Sequence, residues 1–92
     1  MIITRIERDT LNSRNVWEIN VVNDNGTYYI CKEYIANRTK VIKESIEQVT
    51  NEFALKYIGE NKNFIVEIYE GDYSEYIGSK LNKFLHDEHR IK

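Results

Sequence analysis

The chain lacks several features that define broad classes of protein. Its single cysteine, Cys31, cannot form an internal disulfide, which is typical of a protein from a reducing cytosol. No apolar run approaches the ~20 residues that a membrane-spanning helix needs, and the first residues lack the charged-then-apolar order of a signal peptide. We therefore expect a cytoplasmic protein without a membrane segment.

The chain also has no excess of positive charge. It contains 13 Lys and Arg residues and 15 Asp and Glu residues, which give a formal net charge of -2. This balance argues against a broadly basic nucleic-acid footprint and leaves room only for a local patch. Proline is absent, while tyrosine occurs seven times among many Ile, Asn and Lys residues. Such a bias is typical of AT-rich coding and indicates a low-GC bacterium or its phage.

What is present suits one folded domain. The 92 residues are 41% hydrophobic and 30% charged, which is ordinary for a soluble globular chain. A chain of this length supports one modest core and is too short for two. We therefore treat residues 1–92 as a single domain.

A β-hairpin over residues 16–35 is the clearest local pattern. Its first half alternates apolar and polar residues from Trp17 onward, and Asn25-Gly26 tolerates the positive φ of a tight turn. A two-residue loop and a four-residue loop (residues 23–26) both place the same side chains on one face, whereas a three-residue loop moves Tyr29 and Cys31 there. We favour the four-residue loop. The shared set comprises Trp17, Ile19, Val21, Tyr28 and Ile30.

The remaining elements follow from periodicity. Residues 2–8 and 64–69 are predicted strands, and Thr39 is predicted to cap a helix that ends near Ile58, before Gly59. Asp72 and Glu75 form a capping box for a second helix. The order is then β-β-β-α-β-α, and the fold class is α+β, with a mostly antiparallel sheet and two helices packed on one face.

The sequence gives little support for a metal site or for a reactive thiol. His86 and His89 are spaced to share a helix face, but two ligands do not make a zinc site. Cys31 has no histidine or helix N-terminus that the sequence places beside it, so a nucleophilic role is not indicated. We expect no catalytic residue, no metal and no cofactor.

The predicted order also resembles the opening of the ribonuclease H-like fold, whose acids hold two metal ions. Glu44 or Glu47 matches the acid near the first helix, and Asp72 resembles the acid after the fourth strand. The first strand offers no aspartate, and the last strand and helix of that fold have no counterpart. The resemblance therefore implies an inactive remnant.

Basic and aromatic residues are interleaved along the chain, a combination that single-stranded nucleic-acid platforms use. The alternative function is therefore a single-stranded nucleic-acid-binding or regulatory module. The basic residues are Arg5, Arg8, Arg14, Lys32, Arg38, Lys40, Lys43, Lys80, Lys83, Arg90 and Lys92.

Exposed tyrosines flanked by acids would instead suit a basic groove on a partner protein. Seven tyrosines are too many for the core of so small a domain, because each hydroxyl needs a partner or water. The predicted partner-binding residues are Asp24, Tyr28, Tyr29, Glu33, Tyr34, Glu67, Tyr69, Glu70, Asp72, Glu75 and Tyr76.

The hairpin segment N-V-V-N-D-N-G-T-Y-Y-I-C-K-E resembles the hairpin of small phage-encoded anti-CRISPR inhibitors of Cas9. Those proteins are non-enzymatic and block the nuclease by occupying its DNA-binding surface. The resemblance implies a non-enzymatic phage or mobile-element protein that binds and inhibits a host protein in the cytoplasm, most specifically a CRISPR-Cas or other defence nuclease.

Overall fold

The computed structural model describes residues 1–10, 14–68 and 71–91. Over these residues the protein has one antiparallel sheet of five strands and two helices, which confirms the predicted α+β class. The sheet order is β4-β3-β2-β1-β5. The elements are β1 (Ile2–Asp9), β2 (Val16–Asp24), β3 (Thr27–Ala36), β4 (Lys40–Val49), α1 (Asn51–Glu60), β5 (Ile65–Ile68) and α2 (Asp72–Ile91).

The β2–β3 hairpin closes through two residues rather than the favoured four. Asp24 lies opposite Thr27, and the intervening Asn25 and Gly26 have φ of 52° and 92°. Positive φ at both central residues defines the tight turn that matches the twist of paired strands. The predicted face is confirmed, because Trp17 and the four residues grouped with it pack in one cluster around α1.

The predicted helix is wrong over residues 40–49, which form β4. A second tight turn precedes this strand: Asn37 and Arg38 have φ of 53° and 60°, and the Thr39 backbone N–H donates to the Ala36 carbonyl at 3.0 Å. Apolar spacings of three and four residues fit a helix, but the segment is also rich in β-branched residues, which favour strands. Pairing with the free edge of β3 decides between the two.

Helix α1 begins after Thr50, whose hydroxyl accepts a hydrogen bond from the Phe53 backbone N–H at 3.1 Å. The true N-cap is therefore Thr50 and not Thr39, since the cap must precede the first helical turn. The helix continues through Gly59 to Glu60, and Asn61 terminates it.

The two helices pack on opposite faces of the sheet, which corrects the prediction that they share one. Ala54 of α1 packs with Ile30, whereas Ile77 and Leu81 of α2 pack with Cys31. Ile30 and Cys31 are neighbours on β3, and successive strand residues point to opposite faces. We name the two sides of the sheet the α1 face and the α2 face.

Strand β5 confirms the predicted strand within residues 64–69 and pairs antiparallel with β1, with Thr4 opposite Ile68. Helix α2 starts after Gly71, which has φ of 80°. The side chain of Asp72 lies outside the described part of the chain, and so does the predicted capping box. Neither described helix combines the length and the apolar character needed to cross a membrane.

Candidate functional site

A row of two cations and two aromatic rings crosses the α1 face from β1 to β4. The strand register places Arg8 opposite Trp17, Trp17 opposite Tyr34, and Tyr34 opposite Lys43. Directly opposed residues on adjacent antiparallel strands have neighbouring side chains. We call Arg8, Trp17, Tyr34 and Lys43 the cation–aromatic row.

The two rings of this row contact each other. The centroids of Trp17 and Tyr34 lie 4.8 Å apart with an interplanar angle of 39°. The Tyr34 hydroxyl accepts a hydrogen bond from Asn15 Nδ2 at 3.1 Å, and Asn15 Oδ1 accepts one from the Asn37 backbone N–H at 3.0 Å. The hydroxyl is therefore fixed by the two loops that flank the row, and both rings are half-buried.

Arg8 is held at the β1 end of the row. Its Nη1 donates to Asn61 Oδ1 at 3.1 Å, and its guanidinium carbon lies 4.4 Å from the ring centroid of Phe64. Stacking over an aromatic face fixes a guanidinium by cation–π attraction without neutralising its charge. Arg8 therefore presents an oriented positive charge.

A cleft of about 690 Å³ lies beside the row, between the sheet and Tyr57 of α1. Lys32 enters it from β3, with its ammonium nitrogen 5.6 Å from the ring centroid of Tyr57. Burial raises the pKa of Tyr57, so this phenol stays neutral and can donate a hydrogen bond. The lining residues are Arg8, Asp9, Thr10, Trp17, Ile19, Lys32, Tyr34 and Tyr57.

The cations of this region are free to meet an external anion. In the described part of the chain, no carboxylate forms an ion pair with Arg8, Lys32 or Lys43. The one acid lining the cleft, Asp9, is bound at 2.6 Å by Arg38. The cleft therefore carries uncompensated positive charge although the chain as a whole is acidic.

The α2 face carries the opposite pattern directly behind the cation–aromatic row. Glu7 lies opposite Glu18, Glu18 opposite Glu33, and Glu33 opposite Glu44. Like charges directly opposed in a sheet repel one another. We call these four residues the glutamate row.

Three cations compensate the glutamate row from within the protein. Arg5 binds Glu18, and Arg38 binds Glu7 at 3.0 Å. Lys80 of α2 binds Glu33 at 2.5 Å and Glu44 at 2.7 Å.

The pKa values follow these contacts. Burial alone would lower the pKa of Lys80, but its hydrogen bonds to Glu33 and Glu44 raise it, and the same contact lowers the pKa of Glu44. The acids of this face are thus largely committed to internal contacts.

The predicted partner-binding surface is only partly exposed. Tyr29 and Glu33 are 7% and 4% exposed, so little of either side chain is open to a partner in the folded protein. Tyr29 packs against α2, and Glu33 accepts a hydrogen bond from the Tyr76 hydroxyl at 2.9 Å.

The other members of that surface are scattered. Asp24, Tyr28 and Tyr34 are half-buried, whereas Glu75 and Tyr76 are exposed on α2. Tyr69 and Glu70 lie outside the described residues, as do the side chains of Glu67 and Asp72. For the residues that remain accessible, partner binding stays a prediction.

The acids matched to the ribonuclease H-like pattern lie on a strand. Glu44 and Glu47 both belong to β4 and, three residues apart, point to opposite faces of the sheet. Among the described residues no group of three His, Cys, Asp or Glu side chains is arranged to hold a metal ion. The side chain of His89 lies outside that part of the chain.

Cys31 is a buried free thiol beneath α2. Desolvation by burial raises its pKa to about 11. Since the thiolate is the reactive species, this environment disfavours nucleophilic chemistry at neutral pH.

Sequence reasoning placed Trp17 on one face of the hairpin with four other residues and missed the row. The signal was present in the hairpin, because the two-residue turn alone pairs Trp17 with Tyr34. The position of Lys43 could not be predicted, since it depends on β4 being a strand.

No protein-family model, curated protein or solved structure matches this chain.

Proposed function

We propose that this protein is a non-enzymatic module that binds single-stranded nucleic acid on the α1 face. The observation that supports the proposal is the Trp17–Tyr34 ring pair set between Arg8 and Lys43, with Lys32 in the adjoining cleft. Single-strand-binding proteins combine aromatic rings that stack on bases with cations that follow the phosphates.

The contrast between the two faces supports the same reading. On the α2 face each acid of the glutamate row has a cation on a neighbouring element. On the α1 face Arg8 and Lys32 have no such partner among the described residues and are held instead against aromatic rings. Positive charge that the fold leaves uncompensated is available for phosphate.

The expected binding is modest and depends on salt. Two phosphate contacts, from Arg8 and Lys32, predict that log K falls with log salt at a slope of about -1.4 for a single strand. The overall charge of -2 opposes long-range attraction, so the stacking contacts must supply much of the affinity.

The test uses Trp17, the single tryptophan of the chain, as a built-in probe. Titration with short oligothymidylate and oligouridylate at low salt should quench its fluorescence, and the matching duplex should not. The Arg8→Gln variant should bind several-fold more weakly, while Lys56→Gln on the outer side of α1 should bind as the wild type does. If neither oligonucleotide changes the fluorescence or the mobility of the protein at low salt, the proposal is overturned.

A second candidate is docking on a host protein, with a CRISPR-Cas or other defence nuclease as the most specific partner. The observation that favours it is Tyr76, which is 45% exposed and adjoins the exposed Glu75 on α2. A protein partner should be lost on Glu75→Lys and retained on Arg8→Gln. Nucleic acid should show the reverse order.

A further inference from the structure

Strand β4 forms one edge of the sheet and is ten residues long. No strand in the described ranges pairs with its outer side, so its outward N–H and C=O groups are available. Such an edge is a template for another strand. We propose that β4 pairs antiparallel with β4 of a second copy of this chain, about a twofold axis at Ser45.

The two halves of β4 differ in their suitability. The pairing with β3 shifts where Tyr34 lies opposite Lys43 and Ile35 lies opposite Val41, which makes Ile42 a bulge. Bulges and lysines protect strand edges from pairing. The regular stretch of β4 therefore begins at Lys43 and runs to Val49.

Symmetry limits the registers that this stretch can adopt. A twofold axis perpendicular to the sheet keeps each face on its own side, so one residue must lie opposite its own copy. Centring on Lys43, Glu44 or Glu47 opposes two like charges at the axis. Centring on Ile46 leaves Lys43 and Glu47 without an opposite charge.

Placing the twofold axis at Ser45 brings opposite charges together. It places Lys43 of each copy opposite Glu47 of the other, so two complementary pairs form on the α1 face. Both residues are exposed, and neither forms an ion pair among the described residues. Ser45, a small side chain, occupies the axis. Charge complementarity is thus the argument for a second copy as the occupant.

The dimer extends the sheet and leaves the proposed nucleic-acid cleft open. In the dimer, Lys43 of the cation–aromatic row is paired with Glu47 of the other copy, and the two phosphate contacts expected in the cleft come from Arg8 and Lys32. The inference does not rest on the proposed function, and each can fail without the other.

The first test measures the oligomeric state by sedimentation equilibrium at low salt. We expect a concentration-dependent dimer. Because each reversal turns two attractive pairs into two repulsive ones, Lys43→Glu or Glu47→Lys should raise the dimer dissociation constant by about tenfold or more. The double variant Lys43→Glu/Glu47→Lys restores complementary pairs and should restore the dimer.

Matched controls are Lys56→Glu and Glu60→Lys, which make the same charge changes on exposed positions of α1. Both should dimerise as the wild type does. A wild-type protein that stays monomeric at all concentrations overturns the proposal. The proposal is also overturned if neither single charge reversal changes the dimer dissociation constant, or if the double variant fails to restore the dimer.

The second test locates the axis. Ser45→Cys places two thiols opposite each other at the axis, within the roughly 4.4–6.8 Å Cα separation of a disulfide, and should give a covalent dimer on mild oxidation. Gln48→Cys should not, because six strand residues, or about 20 Å, separate the two copies of position 48. The native Cys31 is 3% exposed and does not compete. Cross-linking at position 48 instead of 45 contradicts the register.

Discussion

Trp17 and Tyr34 lie directly opposite each other on β2 and β3, with ring centroids 4.8 Å apart. Their contact is the centre of the cation–aromatic row and depends on the two-residue hairpin turn. A pair of rings on an open part of a sheet can serve packing or recognition. The two uses differ in what happens when one ring is removed.

We predict that Tyr34→Ala weakens oligothymidylate binding by about 5- to 150-fold, the cost of about 1–3 kcal/mol for one stacking ring. Tyr34→Phe retains the ring and loses only the hydrogen bond from Asn15, so its affinity should stay close to that of the wild type. The measurement is the fluorescence titration of Trp17. Equal losses in the two variants would show that the hydroxyl, and not stacking, matters.

A hydrogen-bonded pair between β2 and α2 gives a prediction on stability. Asn20 is fully buried, and its Nδ2 donates to the Tyr73 hydroxyl at 3.0 Å. Tyr73→Phe leaves this amide short of a partner and should lower the free energy of unfolding by about 1–3 kcal/mol. Urea denaturation measures the change. The matched control is Tyr28→Phe, which should cost little, because Tyr28 is also half-buried but its hydroxyl forms no hydrogen bond within the described chain.

Two glycines should respond in opposite directions to alanine. Gly59 lies inside α1, and an added Cβ meets nothing within 4 Å. Gly59→Ala should therefore raise the free energy of unfolding by about 0.5–1 kcal/mol. Gly26 has φ of 92°, so Gly26→Ala should lower the same free energy by more than about 1 kcal/mol. Thermal unfolding of both variants provides the check, and a destabilised Gly59→Ala protein would contradict the helical assignment.

The contact between Lys80 and Glu44 predicts a pH dependence. A hydrogen bond from Lys80 lowers the pKa of Glu44 below its ordinary value of 4.5, so the folded state binds this proton less tightly than the unfolded chain does. The contribution to stability is therefore present at neutral pH and is lost as the pH falls through the lowered pKa. Because the Glu44 side chain is 62% exposed, the contribution should stay below about 1 kcal/mol.

The measurement is urea denaturation of the wild type and Glu44→Gln at neutral pH and well below pH 4.5. The variant should be the less stable protein at neutral pH, and the difference should shrink in acid. Glu47→Gln on the same strand is the control, since Glu47 has no ion pair in the described ranges. A difference for Glu44→Gln that does not change with pH would mean that Lys80 does not stabilise the carboxylate.

Local patterns in the sequence were sufficient for the hairpin faces and for the strands β1 and β5, because alternation is a property of neighbouring residues. They were insufficient for β4. Ile42, Ile46 and Val49 fit a helix as well as a strand, and only the free edge of β3 decides between the two. The turn at Asn37 was a usable signal, since asparagine tolerates positive φ and β-branched residues follow it.

The candidate site was harder to predict for the same reason. Arg8, Tyr34 and Lys43 were each recognised as basic or aromatic candidates, but their alignment requires two long-range registers. The placement of the helices on opposite faces also depends on non-local packing. Tyr29 and Glu33 show why exposure was hard to predict. A tyrosine or glutamate on a strand is exposed or buried according to which face of the sheet a distant helix covers.

The two-residue hairpin turn has a consequence for how variants of this chain would behave. The cation–aromatic row and the glutamate row are separated by a single pleat, so the residue that lies beside Trp17 depends on the pairing of Asp24 with Thr27. One residue inserted between Asn25 and Gly26 lengthens the loop to three residues, a common hairpin length, and leaves that pairing in place. A one-residue slip of β3 against β2 would instead bring Glu33 beside Trp17, but it would also exchange the buried Ile30 and Cys31 between the two faces. The two apolar layers of the protein therefore hold the charge pattern of both surfaces in place, and changes in the loop alone should leave that pattern intact.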